Sequence, residues 1–331
     1  MAVPTATIEP GQASAATRPA VAAVAYHRGD FVPLAEAALP LTTQALQYGT
    51  GVFEGIRANL SADGDSLLLF RVHDHFERFV RSCRLLRIDP GHTVDELVDI
   101  TCELLRRNGS ATDTYLRPLG YKLGLLPGSR PGVGLTGVSD AVSITAFAMG
   151  AYMPAAGIRC GVSSWVRPRG GAVPMRAKVT GGYVNNALAM DEARAAGYDD
   201  AILLNDRGHV AEASTANVFA VAAGRLITPP PTADLLPGIT RDTVSVLAAD
   251  LGIEAGERDF ALPDLLAADE VFLTGTGVGL TPVVEICGRP IGSGHPGPVT
   301  RDLADLYART IRGGAPAPHD HWLTPVRIDR G

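Results

Sequence analysis

The chain has 331 residues, 46% of them hydrophobic and 19% charged, and a net charge of −6; this length exceeds one ordinary core and predicts two domains, each able to bury its own. No apolar run approaches the ~20 residues that cross a bilayer, and no run of Lys and Arg is dense enough to neutralise phosphates, which argues against membrane and nucleic-acid partners. A small-molecule partner is expected.

Residues 1–23 are rich in Ala, Pro and Thr and lack a charged start before an apolar stretch, so they read as a loose tail and not as a signal peptide. Two short strands are predicted around Arg28, Gly29 and Asp30, and two more, "GVFEGIRA" and "SLLLFRV", around the turn "SADGD". Helical spacing follows over 73–88, where Phe76, Phe79, Val80, Cys83 and Leu86 share a face, and over 93–109, opened by Thr93 with Glu96 and closed by Gly109. Strand-like "TYLRPLGYKLG" and "AVSITAFAMGA" complete a first domain over 24–151. A connector at 152–157 leads into a second domain, 158–331, that alternates strand "IRCGVSSWV", helix 185–197, strands 200–205 and 209–214, hairpin 217–230, helix 240–252, strand 270–276, hairpin 283–292 and helix 298–311. The order predicts two α/β domains with mixed sheets.

Two patterns mimic sites. Gly132, Gly134 and Gly137 have dinucleotide-fingerprint spacing, but a Pro-rich loop precedes them and a strand follows, whereas pyrophosphate binding needs strand, turn and helix. The pairs His73/His75 and His319/His321 are spaced i, i+2, which sends their rings apart, so they read as a solvated helix start and a solvated tail with no metal. Cys83, Cys102, Cys160 and Cys287 show no paired spacing, arguing against zinc or a disulfide framework and for a reducing cytoplasm.

The chemistry-bearing residues begin with an imbalance: of 29 basic side chains only Lys122 and Lys178 are lysines. Only an amine can shed its proton, attack a carbonyl and form a Schiff base; a guanidinium stays charged. In "LPGITRD" a Pro-Gly turn precedes Thr240 and an apolar helical pattern, and a helix start with free N–H groups suits phosphate. "LTGTG", with Thr276, offers a second nest of amides after a strand. Glu212 sits among apolar neighbours on a strand and needs a partner, which a protonated ring nitrogen would supply. Arg78 is a candidate clamp for a dianion. Each of these features alone is also met in ordinary helix caps, turns and surfaces.

Schiff-base lysine, phosphate cradle and acid for a ring nitrogen together describe pyridoxal 5′-phosphate. The segments "ALQYGTGVFEGIRA", "YLRPLGY", "AKVTGGYVNNAL", "AEASTANVF", "LPGITRDTV" and "ADEVFLTGTGVGLTPV" together resemble the class IV aminotransferases, especially those acting on branched-chain amino acids. The resemblance implies a two-domain fold type IV enzyme, homodimeric or larger. It implies that Lys178 carries the cofactor, with Tyr183 on its phenolic oxygen, Glu212 on the pyridine nitrogen, and Arg78, Ile239, Thr240 and Thr276 around the phosphate. It sets Tyr48, Phe53, Gly55, Tyr115, Arg117, Tyr152 and Gly277 around substrate. The implied reaction is transamination between branched-chain L-amino acids and 2-oxo acids, chiefly 2-oxoglutarate. The unfamiliar loop at 121–137 and Met149 leave an alternative open: a D-amino acid or amine transaminase, or an aminodeoxychorismate lyase-like enzyme.

Overall fold

The computed structural model describes residues 23–124, 132–314 and 317–328. The expected tail therefore falls almost wholly outside the described residues, as does the centre of the unfamiliar loop, 125–131.

The first half forms β1 (Val24–His27), β2 (Asp30–Pro33), a short helix α1 (Gln44–Tyr48), β3 (Gly51–Phe53), β4 (Ile56–Leu60), β5 (Ser66–Phe70), helices α2 (Val72–Leu85) and α3 (Val94–Arg107), β6 (Thr114–Lys122) and β7 (Asp140–Ala148). The predicted Thr93–Glu96 capping box opens α3. Every described pairing within this sheet is antiparallel, where a mixed sheet was expected. A parallel pair needs a crossover, and here hairpins join β1 to β2 and β4 to β5, while α2 and α3 follow one another. Their apolar faces cover the sheet through Phe76, Phe79, Leu97 and Leu105.

The second half adds β8 (Ile158–Val162), α4 (Tyr183–Ala195), β9 (Asp200–Leu204), β10 (Val210–Ala213), β11 (Asn217–Ala222), β12 (Arg225–Thr228), α5 (Ile239–Asp250), β13 (Ala255–Glu257), α6 (Leu262–Leu266), β14 (Glu270–Gly275), β15 (Gly279–Ile286), β16 (Arg289–Pro290) and α7 (Pro298–Thr310). This sheet, in the order β10-β9-β8-β15-β14-β11-β12-β13, is mixed as predicted. The parallel β8–β9 pair is bridged by the α4 crossover.

The chain then returns. Strand β17 (Leu323–Arg327) leaves the second half and pairs with β5 at the edge of the first sheet, Leu323 opposite Phe70 and Arg327 opposite Ser66. This differs from the sequence-based division, which assigns these residues to the second half. Pro325 is tolerated because an edge strand leaves one side without ladder bonds. Three clusters fill the second half, and one of them, with Phe70, Phe219, Phe272, Tyr307 and Trp322, draws on both sheets.

Candidate functional site

The Lys178 segment crosses from the second half onto the first sheet. Val179 bridges Val52, and the Phe53 N–H donates to the Lys178 carbonyl at 3.0 Å. In extended backbone alternate side chains face opposite ways. Ala177 and Val179 thus enter the first core, and Lys178 turns the other way, toward the cleft between the sheets. Its Nζ lies 2.6 Å from the Tyr183 hydroxyl and 4.8 Å from the centre of the Phe53 ring. One turn of 3-10 helix at 180–182 brings Tyr183 round to it. The other lysine is committed elsewhere: Lys122 is buried, paired with Asp140 at 2.6 Å and donating to the Arg87 carbonyl.

The cleft has a volume of about 270 Å³, and its walls include all but one of the predicted site residues. Ile239 and Thr240 open α5 behind Gly238, and no side chain caps this helix start, so its first N–H groups are free for a ligand. Gly238 is required by space: a Cβ there would lie 2.1 Å from Asn217 Oδ1. Thr276 and Gly277 form the opposing turn, beside Thr274, whose buried Oγ1 has no hydrogen-bond partner.

Glu212 is buried although β10 ends its sheet. Its carboxylate is paired with Arg167 and accepts from Asn217 Nδ2 and the Leu236 N–H, both at 3.2 Å. Burial nevertheless wins, and its pKa is raised above the ordinary carboxylate value against the pull of Arg167. Such a group favours a partner that brings a proton. Arg167, itself buried and held by Asn186 Oδ1 at 2.8 Å, was missed by sequence reasoning.

Arg78 reaches the cleft from α2, but not as a free clamp. It donates to Glu54 through Nε at 2.7 Å and Nη2 at 2.9 Å, and through Nη1 to the Pro237 carbonyl at 2.9 Å. His75, one helical turn earlier, binds the same carboxylate through Nδ1 at 2.8 Å. This corrects the reading of the 73–75 pair as solvated, since only His73 is exposed. At the other pair, His319 is held by Asp250 at 2.6 Å and stacks on Trp322, so it too is not a free tail residue. Among the described residues no His, Cys, Asp or Glu cluster has metal-site geometry.

On the opposite wall Arg117 stacks over Phe53 and donates to the Tyr115 hydroxyl at 3.1 Å. Gly55 lets that hydroxyl approach, because a Cβ would meet it at 1.9 Å. Tyr152 reaches over Gly277, and Phe147 and Met149 complete the apolar side. Tyr48 is the exception: it stands exposed at the end of α1, outside the cleft walls. Glu54 and Arg167 each had one sequence signal, a charge lodged in or beside an apolar segment, but their partners are far off in the chain. Gly137 leads into strand β7 and not into a helix, so the dinucleotide geometry is not formed.

Residues 51–286 match the family model described as amino-transferase class IV. A probable branched-chain-amino-acid aminotransferase of Aquifex aeolicus is 42% identical over 306 residues, covering 91% of this chain and 96% of that protein. The branched-chain-amino-acid aminotransferase of Escherichia coli K12 is 37% identical, covering 87% and 93%. Among solved structures, the branched-chain aminotransferase of Thermoproteus uzoniensis with norvaline superposes with a TM-score of 0.85 at 40% identity, covering 92% and 99%. The branched-chain amino acid aminotransferase of Thermobaculum terrenum, in its PLP-bound holo-form, gives 0.86 at 34%, covering 92% and 98%.

Proposed function

The chain belongs to the class IV aminotransferases, pyridoxal 5′-phosphate enzymes of fold type IV, and from that premise we propose that it exchanges amino groups between branched-chain L-amino acids (leucine, isoleucine, valine) and 2-oxoglutarate. The observation that carries this is the company of Lys178: the one lysine in the cleft shares it with a tyrosine hydroxyl, a buried carboxylate and an uncapped helix start.

These residues fit the cofactor chemically. The free N–H groups of Ile239 and Thr240, the Arg78 guanidinium and the unpartnered Thr274 and nearby Thr276 hydroxyls suit a phosphate. Glu212, reluctant to remain charged, suits a pyridine nitrogen that shares its proton. Tyr183 suits a phenolic oxygen. When bound, pyridoxal 5′-phosphate supplies an electron sink for the charge that forms at the substrate's alpha carbon.

The chain's own residues do the rest. Lys178 would hold the cofactor through Nζ, and its amine, facing the cleft, would move the proton at the substrate's alpha carbon as general base and acid. The Tyr183 hydroxyl, 2.6 Å from Nζ, orients it. Backbone amides at Thr276 and Gly277 and the Tyr115 hydroxyl hold the alpha carboxylate, and Phe53, Phe147, Met149 and Tyr152 leave an apolar space for an aliphatic side chain. Incubation with leucine and 2-oxoglutarate must yield glutamate; cofactor-loaded protein that produces none refutes the assignment.

A homodimer is part of the same proposal, supported by exposed Leu46 and Tyr48 on α1 and Val184 on α4, on either side of the close Gly49–Gly181 contact. A cytoplasmic setting is supported by four free cysteines. No helix among the described residues is long and apolar enough to cross a membrane.

A further inference from the structure

Glu54 touches neither the cleft nor solvent, yet four donors converge on its carboxylate: the Gly55 N–H at 3.2 Å, His75 Nδ1, and Arg78 Nε and Nη2. A charge this deeply buried is costly unless it has a task or excellent pairing. Two geometric facts assign the task. First, the carboxylate grips Arg78 along one edge of its planar fork, so guanidinium plane and direction are set before any ligand arrives. Second, Arg78 Nη1 holds the Pro237 carbonyl, in the turn that leads into α5. These three bonds use three of the five guanidinium N–H groups and leave one on each terminal nitrogen of a side chain that lines the cleft.

We propose that Glu54, braced by His75, is the positioning residue that presets Arg78 for the phosphate of the cofactor. This rests on the reading above that pyridoxal 5′-phosphate binds in the cleft at Lys178. His75 and Arg78 lie three residues apart on one face of α2, and Ser82, on the same face, accepts from the Lys178 backbone N–H at 3.3 Å. The helix that aims the arginine thus also seats the lysine segment. Burial lowers the His75 pKa against the pull of Glu54, which favours a ring that braces the carboxylate through Nδ1 without adding a positive charge. Arg78 and Glu54 form a pair that is neutral before the phosphate arrives.

A positioning role and a mere charge offset predict opposite signs. Glu54→Gln deletes a negative charge near the phosphate, so electrostatics alone would tighten pyridoxal 5′-phosphate binding. If Glu54 aims Arg78, the same change weakens it. The experiment titrates apo-protein with pyridoxal 5′-phosphate and, separately, with pyridoxal, following the Lys178-dependent absorbance of the bound cofactor. The expected result for Glu54→Gln is about tenfold weaker binding of pyridoxal 5′-phosphate, the loss of roughly one charge-assisted hydrogen bond, with pyridoxal changed less than about threefold. In an Arg78→Gln background the Glu54 substitution must have little further effect, because it acts through that arginine. Glu54→Asp, which withdraws the carboxylate by one methylene, is read in the same way if Glu54→Gln does not fold. Tighter or unchanged binding of pyridoxal 5′-phosphate, equal losses for both ligands, or additive effects in the double variant overturn the proposal. Wild-type protein that takes up neither ligand at Lys178 refutes instead the cofactor reading on which it rests.

Discussion

Gly238 separates a steric demand from a backbone one, so its replacement by alanine tests how the cleft is built. Its φ of −75° and ψ of 137° are open to any residue, and alanine meets no conformational penalty there. The added Cβ, however, would lie 2.1 Å from Asn217 Oδ1, far inside the ~3.4 Å of ordinary contact. Asn217 is buried on β11 and cannot retreat as a strand, so its side chain must rotate. Rotation breaks its bonds to the Leu236 carbonyl, 2.9 Å, and to Glu212, 3.2 Å. A neutral bond contributes about 0.5–1.5 kcal/mol and one to a charge about 1.5–3 kcal/mol. Removing glycine from the unfolded chain restores about 0.4–1 kcal/mol. The net expectation is a loss of about 1–4 kcal/mol, seen as a lower urea midpoint of the apo-protein. Because the broken bonds adjoin both Glu212 and the α5 start, affinity for pyridoxal 5′-phosphate falls as well. A Gly238→Ala protein with wild-type midpoint and wild-type cofactor affinity would refute the argument that Asn217 is locked.

Lys178→Arg keeps the charge beside Tyr183 and Phe53 but removes both nucleophile and proton carrier; leucine-dependent glutamate formation should fall at least about 10²–10⁴-fold, with loss of the lysine-linked cofactor absorbance. Lys122→Met, which strands Asp140, should lower Tm yet leave that absorbance intact, and the reverse result would reassign the two lysines. Gly55→Ala must push the Tyr115 hydroxyl aside, so KM for the amino acid should rise while cofactor affinity holds; an unchanged KM removes Tyr115 from the substrate wall. Burial raises the Asp200 pKa above its ordinary 3.8, which outweighs its hydrogen bonds from Ser214 and the Ala201 N–H. The folded protein therefore keeps a proton that the unfolded chain has lost, and stability declines as pH rises from about 3.8 through the raised value. In Asp200→Asn, Tm measured across that window should lose this part of its slope, and an identical slope would show that Asp200 is not the group responsible.

The two lysines show how far local information reached. Their rarity made Lys178 conspicuous, and its segment joined five others in an order that pointed to one family and one cofactor. The helices α2, α3, α5 and α7 were legible from apolar spacing and end signals, because those patterns lie within a few residues of one another. Helices α1 and α6, five residues each, are too short to show a period. The return of β17 to the first sheet depends on a pairing between residues about 257 apart (Leu323 with Phe70 differs by 253, Arg327 with Ser66 by 261).

The sequence by itself determined which side chains could do the chemistry, since an amine, a carboxylate or a free helix start is a property of a residue and its near neighbours. Tertiary structure alone decided their partners. Arg78 reads locally as a free clamp, but Glu54, 24 residues earlier, and the Pro237 carbonyl, 159 later, are bound to it. Glu212 reads locally as lacking a partner, but Arg167 lies against it. Tyr48 reads as part of the site, and it lies outside the cleft walls of this chain. Charge and nucleophilicity are written locally, but burial, and with it the need for a counter-charge, is set by what the rest of the chain packs against a residue.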